Sequence, residues 1–224
     1  ISRGLVGSEM CIRDSVNAKL KQMSILPSEV CSDEIFVRRV SLDLTGLLPT
    51  VETTRAFLAD DSKKKRAKLI DRLLASEEHA RFWAQKQADL MRVNAKLLLD
   101  GRADLLGSWI VDAFRENKPY DQFAREVITA SGDTRQTAAA NFFFAIENTN
   151  DVTETTSQVF MGSRINCAKC HNHPFENWTQ EDYYSIGAVF TRLKKDGDRI
   201  GVADSGEMSH PASGKVMHPW GLPN

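Results

Sequence analysis

The chain lacks any apolar run near the roughly 18 to 20 residues that a membrane-spanning helix requires. The apolar stretch from Asn141 to Ile146 is far too short, so no membrane span is expected in this chain. An excess of either charge is missing too. With 29 Lys+Arg against 30 Asp+Glu, no overall field recruits nucleic acid or an anionic membrane surface. The strongest local patch, Lys63-Lys64-Lys65-Arg66, has no aromatic platform or glycine-rich loop beside it and reads as a solvated face at the start of a helix. Nucleic acid is therefore not an expected partner. There is no G-x-S-x-G elbow, Walker loop, dinucleotide fingerprint or H-E-x-x-H pair, which leaves hydrolase and nucleotide-enzyme readings without local support. A glycosidase needs only two well-placed carboxylates, and 30 acidic residues leave that route open.

Cysteine is scarce, with four in 224 residues, yet two of the four form the pentapeptide Cys167-Ala168-Lys169-Cys170-His171. This is the C-x-x-C-H pattern by which c-type cytochromes hold haem. In that chemistry both thiols form thioethers with the haem vinyl groups and the neighbouring imidazole becomes the proximal iron ligand. One helical turn would place positions i, i+3 and i+4 on one face, so Cys167, Cys170 and His171 could reach one flat cofactor together. The same residues admit other uses. With His173 added, and possible completion by His210, Cys167 and Cys170 could make a tetrahedral zinc set. They could also form a redox pair, a short disulfide or plain buried cysteines. A zinc ribbon would need a second C-x-x-C pair, and Cys11 and Cys31 each stand alone.

Opposite His171, the second axial position would come from the tail, where Met208, His210, Met217 and His218 are separated enough to return over the far face. His210 is the preferred candidate because Pro211 would stiffen its approach, whereas His173 lies too close in sequence to wrap around. In the zinc alternative, Glu176 or Asp182 would orient an imidazole from behind. Arg38, Arg39 and Asp43 form a further charged cluster, read as a structural ion pair rather than an anion site.

The body reads as successive amphipathic helices with hardly any alternation, predicting a mainly α fold: a multi-helix orthogonal array with an irregular or short-hairpin tail. Ser32 opens a helix closed by Gly46 and Pro49, and Thr50 starts the next. Leu69, Ile70, Leu73 and Leu74 mark a third. Ser76 opens a fourth whose Phe82, Trp83 and Leu90 are expected in the core. Leu105 to Phe114 and then Tyr120 to Val127 continue the pattern, and a helix from about Val152 through Phe160 leads to the cysteines. Pro174 ends the cysteine turn, while Thr179 with Asp182 resembles a capping box opening a helix through Tyr183, Tyr184, Ile186 and Phe190. Past Asp196, glycine, proline and polar residues predict turns, with a hairpin about Ala212-Ser213-Gly214.

Residues Gly4 to Ser15, GLVGSEMCIRDS, read as translated sequencing adapter. The expected organisation is therefore an artefact over 1–15, a helical domain carrying the motif over 16–195, and an irregular tail of the same domain over 196–224, cut before a further domain. An export signal is expected to have been lost with the true start.

Three blocks carry a family resemblance: Phe36 to Thr50 (FVRRVSLDLTGLLPT), Lys68 to Ser76 (KLIDRLLAS) and Cys167 to Tyr184 (CAKCHNHPFENWTQEDYY), supported by Asn117 to Ala124 and Gly206 to Pro211. Together they resemble the cytochrome-c-associated, PSCyt-type family of unknown function found in planctomycetes and related environmental bacteria. The resemblance implies an exported, periplasmic or cell-surface protein, with this domain ahead of a second one in the same polypeptide and often behind a cytochrome c domain. It implies covalent haem c, with zinc as the alternative. The partner would be a redox protein or the adjoining cytochrome c domain, and the surroundings of such proteins suggest breakdown of polysaccharides. The function expected is electron transfer within a larger oxidoreductase. The alternatives are a metal- or disulfide-stapled scaffold, or a catalytic part of a polysaccharide-degrading system.

Overall fold

A computed structural model describes residues 3–219, with the side chains of residue 12 and of residues 14–219. The side chain of Cys11 and the tail beyond Pro219 lie outside the described residues. The fold is mainly α, with helices α1 (Arg3–Gln22), α2 (Asp33–Thr45), α3 (Val51–Ala59), α4 (Lys65–Leu74), α5 (Glu77–Leu90), α6 (Arg102–Arg115), α7 (Tyr120–Ile128), α8 (Thr149–Phe160) and α9 (Gln180–Ala188). The boundary expected at residues 15 and 16 falls inside α1. Two 3₁₀ segments, Ala138–Ala145 and Ile165–Lys169, complete the helical part.

Polar side chains and glycine set the helix ends where sequence placed them. Thr50 accepts the backbone N–H of Thr53, and Ser76 accepts that of His79. Gly46 ends α2 in the left-handed conformation, its N–H donating to the Leu42 carbonyl. Ser32 precedes α2 in extended geometry but makes no side-chain cap bond. His79 adds a tertiary cap. Its Nδ1 donates to the Leu44 carbonyl at 2.8 Å, tying α5 to the last turn of α2.

The main core lies between α5, α6, α7 and the first 3₁₀ segment, where Leu106, Ile110, Phe123, Val127, Phe142 and Phe143 are all buried. Asn141 is fully buried among them, and its amide nitrogen donates to the carbonyls of Thr134 and Ala138, both at 2.9 Å. A smaller core of Val37, Phe57 and Leu69 joins α2, α3 and α4. On α5 the expected aromatic core does not form. The buried positions are Ala80, Ala84 and Gln87, while Trp83 and Leu90 are exposed. Small residues let α5 approach α6 closely, and Phe82 and Trp83 lie outside that seam under the ammonium of Lys86.

The lysine run also departs from its reading as a wholly solvated face. Lys65 and Arg66 both pair with Asp33 at 2.7 Å, and Arg66 stacks on Phe36, so half of the run clamps α4 to α2. The Arg38, Arg39 and Asp43 cluster forms no ion pair among the described residues, and all three side chains are exposed. Their spacing on α2 points them at solvent.

Strand β1 (Gly132–Asp133) pairs antiparallel with β3 (Arg199–Val202), which pairs with β2 (Leu193–Asp196). This sheet sews the start of the tail onto the body. The expected hairpin follows as β4 (Met208–Ser209) and β5 (Val216–Met217), with Met208 opposite Met217.

Candidate functional site

The C-x-x-C-H segment does not sit on an α-helical turn. Ile165–Lys169 is a 3₁₀ turn with Cys170 at its end, and its period of about three residues decides which side chains face out. Ile165 and Ala168, three apart, point inward and are 1% and 0% exposed against Tyr183 and Ile186 of α9. Cys167 and Cys170, also three apart, are exposed, and both thiols are free. One short turn thus anchors one pair of residues and presents the other. His171 follows the turn, exposed, where the chain bends away ahead of Pro174.

Hydrogen bonds fix this segment without any cross-link. The Lys169 carbonyl accepts from the Gln180 side chain at 2.9 Å and from the Tyr184 hydroxyl at 3.1 Å. Asn172 Oδ1 accepts the Gln180 backbone N–H at 3.1 Å. The capping box of Thr179 and Asp182 is present, and the helix it opens runs from Gln180 to Ala188, leaving Phe190 beyond its end. Behind the segment, Glu176 Oε2 accepts from the Ser163 hydroxyl at 2.5 Å and from Trp178 Nε1 at 3.0 Å. The Ser163 bond first, and then that from Trp178, hold the Glu176 carboxyl below the usual carboxylate range. Burial, reinforced by a 2.8 Å bond donated to Glu154, pushes the Tyr183 phenol well above its ordinary value.

Three histidines fall into two classes. His171 Nδ1 lies 2.7 Å from the Asn172 carbonyl oxygen, so Nδ1 carries a proton and donates it, and in the neutral ring Nε2 keeps a lone pair. His173 Nδ1 instead accepts the backbone N–H groups of Phe175 and Glu176 at 3.2 and 3.0 Å. His210 does the same with Ala212 and Ser213, both at 3.3 Å. Each begins a His-Pro turn in which the imidazole acts as a cap. A neutral ring used this way carries its proton on Nε2 and has no lone pair left for a metal.

That arrangement bears directly on the residues singled out in the sequence. Cys167, Cys170 and His171 are brought together on one exposed segment. The alternative zinc set of Cys167, Cys170, His173 and His210 is not assembled: among the described residues no group of three or more Cys, His, Asp or Glu side chains is placed to hold a metal ion. The His210 ring packs on Tyr184 at 5.8 Å between centroids, and the Tyr184 hydroxyl connects it to Lys169. Met208 covers Gly187 of α9 and Met217 is buried, so both serve packing, while His218 is exposed. Neither Glu176 nor Asp182 orients an imidazole, because the first binds Ser163 and Trp178 and the second caps α9.

Sequence reasoning missed Asn172, whose carbonyl sets the His171 proton and whose amide ties the segment to α9. It also missed the anchors Ile165 and Ala168. Their three-residue spacing, matching that of the cysteines, was the available signal.

A family model described as PSCyt2, a protein of unknown function (DUF1549), matches residues 11–195 of the chain. Neither the curated proteins nor the solved structures include a significant match.

Proposed function

The chain belongs to the PSCyt2 family of proteins of unknown function (DUF1549), and on that footing we propose that it is an exported c-type haem module that passes electrons to a partner protein or adjoining domain. The observation that carries the reading is the contrast among the histidines. His171 alone of the three around the motif keeps an Nε2 lone pair, with its Nδ1–H held by a backbone carbonyl, as a metal-bound imidazole requires. The two thiols suit the same cofactor. Each adds across a vinyl C=C, sulfur to one carbon and hydrogen to the other, which needs separate, reduced and reachable thiols, and Cys167 and Cys170 are free and exposed.

Bound haem would supply a one-electron iron couple at the surface of the protein. The chain's own part is to hold that edge rigid. Ile165 and Ala168 anchor the turn, and Gln180 and Tyr184 grip the Lys169 carbonyl between the two cysteines. A structural staple has less to recommend it, because these bonds already fix the segment and the cysteines point away from the core. Covalent haem attachment in bacteria takes place outside the cytoplasm, so the reading carries an exported location with it.

The test is expression with an export signal in a host that matures c-type cytochromes, followed by the reduced-minus-oxidised pyridine haemochrome spectrum of the denatured protein. A thioether-type band in the parent, absent from Cys167→Ala/Cys170→Ala, is expected. No band, with stoichiometric zinc by elemental analysis, would overturn the proposal.

A further inference from the structure

Between α5 and the corner where α6 turns into α7 lies a cavity of about 250 Å³, lined by none of the motif residues. One wall is a stripe of α5, in which His79, Trp83 and Gln87 recur at four-residue spacing on one helix face. The opposite wall is aromatic, with Phe114 from α6 and Tyr120 and Phe123 from α7. Phe123 is buried, while Trp83 and Tyr120 are exposed, so rings line the cavity from its mouth inward.

The polar groups of the α5 wall are unspent. Gln87 is only 8% exposed, yet its carboxamide forms no hydrogen bond among the described residues, and Nε2 is sealed inside the protein without a partner. Oε1 is therefore the end of the amide that meets the cavity. An amide withdrawn from water and left unpaired is costly, and this one lines an accessible space. His79 Nδ1 donates to the Leu44 carbonyl, so in the neutral ring Nε2 keeps an accepting lone pair. The remaining groups are occupied or wet. The Tyr120 hydroxyl donates to the Val159 carbonyl at 2.8 Å and leaves only its ring to the cavity. Lys118 is paired with Glu126, no carboxylate lines the cavity, and Asn117 is exposed to water. Neither an anion nor a cation finds a free counter-charge there.

We propose that this cavity binds a small neutral aromatic compound bearing a ring N–H or phenolic O–H, with its ring among Trp83, Tyr120 and Phe123 and its hydrogen donated to Gln87 Oε1. Offset and edge-on ring contacts suit walls of this kind. The open groups of the α5 stripe both accept, which selects a ligand with a hydrogen to give, and His79 Nε2 takes a second donor where the ligand has one. The volume fits a small ring system rather than a polymer, and mostly apolar walls with few convergent polar groups are the usual make-up of such sites. A sugar would bring hydroxyls all round its ring to walls that leave most of them unpaired. The site is independent of what the cysteines hold.

Indole, 1-methylindole and glucose would be titrated separately into the whole chain, following the backbone and side-chain amide signals by NMR. Indole should bind saturably with a Kd on the order of 1 mM or below, shifting the Gln87 side-chain amide. 1-Methylindole keeps the rings but has no hydrogen to donate, and should bind about fivefold more weakly or worse, the loss that one hydrogen bond implies. Gln87→Met, close in shape but without the acceptor, should weaken indole by the same factor and leave 1-methylindole unchanged. Trp83→Ala should weaken both. Equal affinity for the two indoles, an unchanged indole affinity in Gln87→Met, tighter binding of glucose than of indole, or shifts that never saturate would each overturn the proposal. Circular dichroism and urea midpoints confirm that both variants fold, and the comparison of the two indoles on the parent chain holds whatever the variants do.

Discussion

His173 Nδ1 accepts the backbone N–H of Glu176 at 3.0 Å, which occupies the lone pair a metal would otherwise take. Two residues earlier, His171 uses its Nδ1 as a donor and leaves Nε2 free. These assignments give His173 to turn formation and leave His171 as the ligand in the proposed haem reading. In the matured protein, His171→Ala should lower covalently attached haem at least tenfold, whereas His173→Asn and His210→Asn should leave it unchanged, because asparagine can accept the same turn bonds. Haem staining of denaturing gels, with the pyridine haemochrome for quantity, reads both outcomes. Equal losses in all three would mean that the histidines act together.

The 3₁₀ turn also predicts an asymmetry in stability. Ile165 is 1% exposed and Cys167 is exposed, although they are two residues apart. Ile165→Ala should destabilise the fold by about 2–5 kcal/mol through the cavity it leaves, and Cys167→Ser by less than about 0.5 kcal/mol. Urea unfolding of the apo protein measures both. A large cost at Cys167 would contradict the outward placement of the thiol.

Much of the helical order was legible because its signals are local. Thr50, Ser76 and Thr179 cap through their own side chains, and Gly46 stops α2 by its backbone freedom alone. The motif was legible as chemistry, but its turn type was not: the spacing of Cys167, Cys170 and His171 fits an α-helical face as well as a 3₁₀ turn, and only the burial of Ile165 and Ala168 under α9 selects the latter. The α5 aromatics misled for a related reason. Helical periodicity locates a stripe but not its partner, and α5 turns Ala80 and Ala84 to α6 while Phe82 and Trp83 pack at the edge. The histidine roles depend on hydrogen bonds to backbone groups, which residue types do not reveal.

Gly46 offers a sharper test of tertiary packing. Its φ is +70, and a Cβ built there would lie 2.5 Å from both Cδ2 and Cε2 of Phe82. Gly46→Ala therefore combines left-handed backbone strain with a ring clash, and should cost about 2–4 kcal/mol. Pairing it with Phe82→Leu in a double-mutant cycle separates the two terms. The clash should be relieved in the double variant while the backbone strain of about 1–2 kcal/mol remains. Additive losses would show that the ring moves aside freely.

The acid limb of stability should depend on the pair joining α5 to α6. Glu77 accepts from Arg115 Nε and Nη2, both at 2.7 Å, and from Arg81 at 2.8 Å. The Arg115 bonds first, and then that of Arg81, lower the Glu77 carboxyl to about 2. A carboxyl depressed in the folded state adds stability that is present above its unfolded pKa, and that stability is lost as pH falls through the folded value. Here the window runs from the ordinary glutamate value of 4.5 down to about 2. Glu77→Gln should flatten the stability profile across that window and leave the slope above pH ~5 unchanged, beyond the range where carboxyls titrate. The exposure of the pair adds a second criterion, because 1 M salt should shrink the difference between parent and variant. Urea midpoints at closely spaced pH values, in low and high salt, measure both effects. An unchanged acid slope in Glu77→Gln would assign acid sensitivity to another carboxyl, with Asp33 next in line because Lys65 and Arg66 lower it in the same way.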